Sequence, residues 1–308
     1  MSPQGVIMQN YDYENMGRPS PTALLNPMCD PIFKAIFTQN TKESALALND
    51  FISTMLGRKV VNLQLAPNEP AVETLSQMQM RFDVSVTFDD GECADIECQC
   101  RKNEAEYDYS VRSEVQVARL LNNNAKRGSN WSSGKVYQIT VANFEFEKDD
   151  NSAFAWYTMR SDSGHRLGDR LNVIVLDLVK IKENIGTPAE KLTDREKWGM
   201  YFACAGDEKH RDYINKIVQS EEGIMAAETV RKYMSEEEAN WFRQNSYDIG
   251  LRDYNSGLEN AEKRGMQEKA IEVAKNALAL KLTAEQVSKI TGLPLEKVKE
   301  LAKETADK

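Results

Sequence analysis

The sequence predicts an α/β protein in which a mixed sheet flanked by helices is followed by an all-helical C-terminal region. Three observations carry that reading. Apolar and polar residues alternate over residues 81–100, the period-two signature of half-buried strands. Two further runs, 135–146 (KVYQITVANFEF) and 173–179 (VIVLDLV), read as strands, the second apolar enough to be buried on both faces. From Thr193 onward the apolar spacing becomes helical.

In chain order, residues 1–26 mix Pro3, Pro19, Pro21, Gly5 and Gly17 with polar residues and read as a mobile arm. Asp30 is expected to cap a helix running through Phe37, with Pro31 at its first position. Thr41 should cap the next helix, with a stripe of Ala45, Leu48, Ile52, Met55 and Leu56 and a stop at Gly57. Val60 to Leu65 reads as a first strand, followed by a loop through Pro67 and Pro70.

The next stretch, RFDVSVTFDDGECADIECQC, forms a hairpin by its alternation. Turn length decides which residues meet, because a one-residue slip sends every side chain to the other face. A two-residue loop at Asp90-Gly91 would set Asp83 against Cys98, polar against apolar. A three-residue loop, Asp89-Asp90-Gly91 with Gly91 left-handed, sets Asp83 against Glu97 and Val84 against Ile96. Only that register matches both faces. It brings two carboxylates together with Cβ atoms roughly 5 Å apart, near enough to share one hard divalent cation through oxygen. On alternation alone, a solvated polar face on an amphipathic hairpin explains the same residues.

Past the hairpin, a helix is expected from about Glu104 to Asn122, with an inward stripe of Val111, Val115, Ala118 and Leu120 or Leu121. Arg112 and Gln116 lie one turn apart on it and could face one phosphate, or be a solvated face. Residues 154–160 and 171–180 read as a hairpin or a sheet extension around the Ser161–Gly164 turn. Helices should then cover 194–205, 211–218, 224–232, 235–245 and 254–282, with a capping box at Ser235–Glu238. The tail holds two short helices broken at Thr291-Gly292, with Val287, Ile290, Leu293, Val298 and Leu301 inward. That is helix-turn-helix spacing, for reading DNA or only for packing.

Several of these stretches together resemble the PD-(D/E)XK nuclease superfamily, and within it the transposase-like Rpn branch of recombination-promoting nucleases. The residues that carry the resemblance are Asp83, the Asp-Gly turn and Glu97-Cys98-Gln99, with Asp30 to Phe37, Phe51 to Leu56 and Leu192 to Trp198 in matching order. It implies a restriction-endonuclease-like core and metal-dependent hydrolysis of DNA phosphodiesters in a protein that promotes recombination. Asp83, Glu97 and the backbone carbonyl of Cys98 would hold Mg²⁺, with Mn²⁺ as a substitute, and Gln99 would orient water or phosphate. Gln99 stands where the superfamily usually has Lys, and a neutral amide can neither act as general base nor add charge. Metal hydroxide would then do more of the work, or Lys34, Lys102 or Arg112 would approach from elsewhere, while Gln116, Asp30 and Glu43 are accessory candidates, Glu43 as a first-helix acid joining the metal. The expected domains are an arm at 1–26, the nuclease-like core at 27–185, a helical extension at 186–253, and a long helix with the helix-turn-helix-like tail at 254–308.

Composition sets bounds on that reading. With 41% hydrophobic residues in 308, the chain can bury a large core. A formal charge of −9 counts against tight metal-free coating of DNA, which relies on Lys and Arg. No apolar run reaches membrane-span length, no secretory signal is evident, and five cysteines without paired metal spacing suit a reducing compartment, so a cytoplasmic location is expected. Two histidines and scattered cysteines make zinc-site and serine-hydrolase readings weak. The 128–135 segment misses the phosphate-loop spacing, and Asn130-Trp131-Ser132 is a glycosylation acceptor that a cytoplasmic chain would not use. DNA is the expected partner, with homodimerisation left open and no membrane. The alternative is an inactive nuclease-fold protein that binds DNA or another protein.

Overall fold

The computed structural model describes residues 24–60, 62–67, 83–100, 109–125, 132–147, 149–233 and 265–306. The expectations for Arg81, Phe82, Lys102, the 128–131 loop and the 235–245 helix lie outside the described residues, as do the start of the 104–122 helix and most of the N-terminal arm. The chain divides into two compact units, the first running to about residue 249 and the second from 250.

The first unit is built on a mixed six-stranded sheet in the order β1-β2-β3-β4-β6-β5. The strands are β1 (Gln64–Leu65), β2 (Val84–Thr87), β3 (Cys93–Gln99), β4 (Val136–Ala142), β5 (Phe154–Thr158) and β6 (Leu171–Asp177). Strands β3, β4 and β6 are parallel, β2 and β5 join them antiparallel, and β1 pairs antiparallel with β2. The restriction-endonuclease-like expectation is met by this mixed sheet with helices around it.

Helices α1 (Asp30–Thr38) and α2 (Lys42–Leu56) pack on one face. Thr41 caps α2 by accepting from the Ser44 N–H, and Gly57 ends it at φ 64°, as the sequence indicates. Cys29 occupies the N-cap of α1, so Asp30 and Pro31 begin the helix itself. Ala45 is exposed, and Ala47 and Phe51 take its place in the buried stripe. The same core takes in α5 (Asp194–Cys204), α6 (Arg211–Ser220) and α7 (Glu222–Lys232), all from the span expected as a helical extension. Phe33, Phe37 and Phe51 meet Trp198 and Phe202 of α5, with Trp198 5.2 Å from Phe51 by ring centroids. Leu25 is buried, and its carbonyl accepts from Arg231 Nη1 at 2.7 Å.

The other face is covered by α3 (Tyr109–Asn124). Its predicted orientation holds at Leu120 and fails elsewhere. Val111 and Val115 are 53% and 50% exposed and Ala118 is exposed too, while Tyr109, Ser113, Gln116, Val117 and Leu120 are buried. The sheet face beneath carries Asp95, Glu97, Gln138 and Thr140, so the helix turns a stripe with matching polar groups toward it. Gln138 Nε2 donates to Gln116 Oε1 at 2.6 Å, and the Tyr109 and Thr140 hydroxyls share a hydrogen bond at 2.5 Å.

Three smaller differences have local causes. The first strand shrinks to two residues beside Asn62, whose φ of 58° leaves the extended region. Strand β6 stops at Asp177, whose carboxylate caps α4 (Leu178–Lys182) and so puts Val179 and Lys180 in a helix. The β5–β6 hairpin and its Ser161–Gly164 turn form as expected, with Gly164 left-handed.

The second unit contains α8, described over 265–279 with 254–264 of the expected helix outside the described residues, α9 (Ala284–Thr291) and α10 (Leu295–Ala306). Gly292, at φ 71°, separates the last two. Val287, Leu293, Val298 and Leu301 are buried with Ala274 of α8. Ile290, expected inward, is 61% exposed because Ala274 and its neighbours on α8 fill that core instead.

Candidate active site

The site grows out of the β2–β3 hairpin. Val84 pairs with Ile96, Ser85 with Asp95, Val86 with Ala94 and Thr87 with Cys93. Phe88 and Glu92 close the three-residue turn, with the Phe88 N–H donating to the Glu92 carbonyl at 2.9 Å and Gly91 at φ 80°. That register sets Asp83 opposite Glu97. Two backbone bonds lock the pair, since the Asp83 N–H donates to Glu97 Oε1 at 3.3 Å and the Cys98 N–H donates to Asp83 Oδ2 at 3.0 Å.

A cation faces each carboxylate. Lys34 of α1 places Nζ 3.1 Å from Asp83 Oδ1 and 2.9 Å from Asp30 Oδ1. Arg112 of α3 places Nη2 3.1 Å from Glu97 Oε2, to which Gln99 Nε2 also donates at 3.2 Å. Elements on both faces of the sheet thus converge at the carboxyl end of β3. Asp83 borders a surface cleft that also includes Lys34, Thr38 and Ser85.

The solvated-face explanation of the hairpin fails, because Asp95 and Glu97 are fully buried under α3. Burial and the nearby Asp83 carboxylate push Glu97 up to about 7, against the pull of Arg112. Asp95 rises well above the usual carboxylate range through burial, then through Glu97 and Asp83. Among the described residues neither Asp95 oxygen meets a donor that stays charged or fixed, and its neighbour is the Glu97 carboxyl. Asp83 is raised by burial despite Lys34. For Lys34, burial pulls downward, but Asp83 and Asp30 outweigh it and the ammonium is held above its ordinary value.

Of the predicted residues, Asp83, Glu97, Gln99, Asp30, Lys34 and Arg112 form one connected cluster. Glu43 sits exposed in the first turn of α2, and Gln116 is buried against Gln138. Asp95 is the residue sequence reasoning passed over, although its place two residues before Glu97 on the same strand face was a signal. Among the described residues no three Asp, Glu, His or Cys side chains converge as a ready cation site. Carboxylate oxygen is the donor chemistry Mg²⁺ takes, since that ion binds through one or two carboxylates and keeps much of its water, and Asp83 of the pair lines the open cleft.

No curated protein and no solved structure matches the chain. Residues 27–261 match the family model described as PD-(D/E)XK nuclease family transposase. That span takes in the hairpin, the cations on α1 and α3, and the aromatic core behind them, and the chain belongs to the PD-(D/E)XK nuclease family transposases.

Proposed function

We propose that the chain is a metal-dependent DNA endonuclease of the transposase-like, recombination-promoting type, working in the cytoplasm and hydrolysing phosphodiester bonds at Asp83 and Glu97. The observation that carries this reading is the opposed carboxylate pair, fixed by backbone donors and faced by Lys34 and Arg112. Asp83, Glu97 and the Cys98 carbonyl would hold Mg²⁺, or Mn²⁺ in its place. A cation held there would supply Lewis acidity, to neutralise charge developing on the phosphate and acidify water.

The chain's own residues do the positioning. The Cys98 N–H and the Asp83 N–H keep the two carboxylates in register, and Asp30 orients Lys34. Lys34 and Arg112, each 3.1 Å from a carboxylate of the pair, would provide a phosphate there with the positive charge that Gln99 lacks. The Gln99 amide orients water or a phosphate oxygen.

Nicking of supercoiled plasmid with Mg²⁺, Mn²⁺ or chelator tests the assignment. Asp83→Ala and Glu97→Ala are each expected to abolish metal-dependent cleavage, and Gln99→Ala to weaken it. Parent-like cutting by the first two variants would overturn it. The second reading is an inactive nuclease-fold binding protein, favoured by the way Lys34 and Arg112 already neutralise both carboxylates. DNA binding without cleavage, unchanged in Asp83→Ala, would establish that reading.

A further inference from the structure

The hairpin joining β5 to β6 carries a like-charge pair that the nuclease reading does not use. Arg160 and Arg166 are directly opposed across an isolated antiparallel bridge, and every residue from 159 to 168 is exposed. Directly opposed like charges destabilise a strand pair. The arrangement is nevertheless built in. The Leu167 N–H donates to the Met159 carbonyl at 3.0 Å and the Ser161 N–H to the His165 carbonyl at 2.9 Å, with Gly164 at φ 84° in the turn.

Each guanidinium is anchored by one edge to its own hairpin. Arg160 Nη1 donates to the Gly164 carbonyl at 2.9 Å and Arg166 Nε to the Gly168 carbonyl at 3.1 Å. A guanidinium carries five N–H groups in a planar fork, so donors remain for an incoming anion. Arg170 and Lys135 lie at the base of the hairpin and share Asp169, at 3.7 and 2.9 Å, so that with Asp162 in the turn four cations stand against two carboxylates and this corner is positive in a chain of net charge −9.

We propose that Arg160 and Arg166 clasp the phosphate backbone of duplex DNA outside the cleaved bond. The inference takes DNA as the substrate, as proposed above. Cys93, Val136 and Leu171 form one row across β3, β4 and β6, and Glu97 lies four residues farther along β3. Strand geometry puts the base of the hairpin about 16 Å from the carboxylate pair. At about 3.4 Å per phosphate along one strand, the clasp meets DNA some five or more base pairs from the cut. Phosphate contacts of this kind fix register and carry no sequence information.

The test is anisotropy of a labelled duplex with the full chain in chelator, across a salt series. The variants are Arg160→Ala/Arg166→Ala, Arg160→Lys/Arg166→Lys, and Arg211→Ala as an exposed arginine elsewhere. The double alanine variant should lose about ten-fold or more in affinity at low salt, and the slope of log affinity against log salt should fall by about two. The lysine variant should keep most of the slope, and Arg211→Ala should match the parent. Parent-like affinity and slope in the double alanine variant, an equal loss in Arg211→Ala, or no duplex binding by the parent would each overturn the proposal. Binding that depends on the hairpin, with no cleavage in Mg²⁺, would sink the nuclease reading and leave the clasp standing.

Discussion

Arg112 holds Nη2 3.1 Å from Glu97 Oε2, and Glu97 has 0% side-chain exposure. A helix on one side of the sheet therefore neutralises a carboxylate sealed beneath it. Removing Arg112 should leave Glu97 to carry a buried charge alone or take up a proton. Arg112→Ala is expected to lower metal-free stability by about 2 kcal/mol at pH 8, measured by urea unfolding. Added Mg²⁺ should recover part of the loss, and unchanged stability would refute the role.

The raised carboxylates give the metal-free protein a defined pH dependence. Glu97 titrates near 7 in the fold against 4.5 as its ordinary value, and Asp95 shifts in the same direction. The unfolded chain then binds fewer protons than the native one between these values, so stability falls as pH rises. It is fully present below about 4.5 and is lost as pH climbs through 7. Thermal unfolding in chelator should show that slope, and Glu97→Gln should flatten it.

Asp95 is buried beside the Glu97 carboxyl, and among the described residues no donor serves its oxygens. Asp95→Asn removes the ionisable group at nearly constant volume. It is expected to raise metal-free stability at pH 8 by about 1 kcal/mol. A loss of stability there would mean that the carboxylate is paid for by a partner the fold does not show.

Behind the site, Asp50 accepts from Trp198 Nε1 at 2.8 Å, and a Cβ on Gly223 would sit 2.2 Å from the Asp50 carboxylate. Gly223→Ala should cost about 1–3 kcal/mol through the forced shift. Trp198 fluorescence should change with it, because the indole would lose its acceptor.

Much of this protein was legible in the sequence alone. The Asp83–Glu97 register followed from a three-residue turn and the alternation on either side, because a slip would have put polar groups opposite apolar ones. Thr41, Gly57 and Gly292 marked helix ends through local chemistry that needs no distant partner. Only the tertiary structure decided which way α3 faces. Its apolar residues suggested Val111, Val115 and Ala118 as the buried stripe, but the strand face beneath holds Asp95, Glu97, Gln138 and Thr140, and buried polar groups need partners. The same long-range packing brings Lys34 to Asp83 and Arg112 to Glu97. Turn length and capping are written in adjacent residues, whereas burial and charge pairing depend on which surfaces meet after the chain has closed on itself.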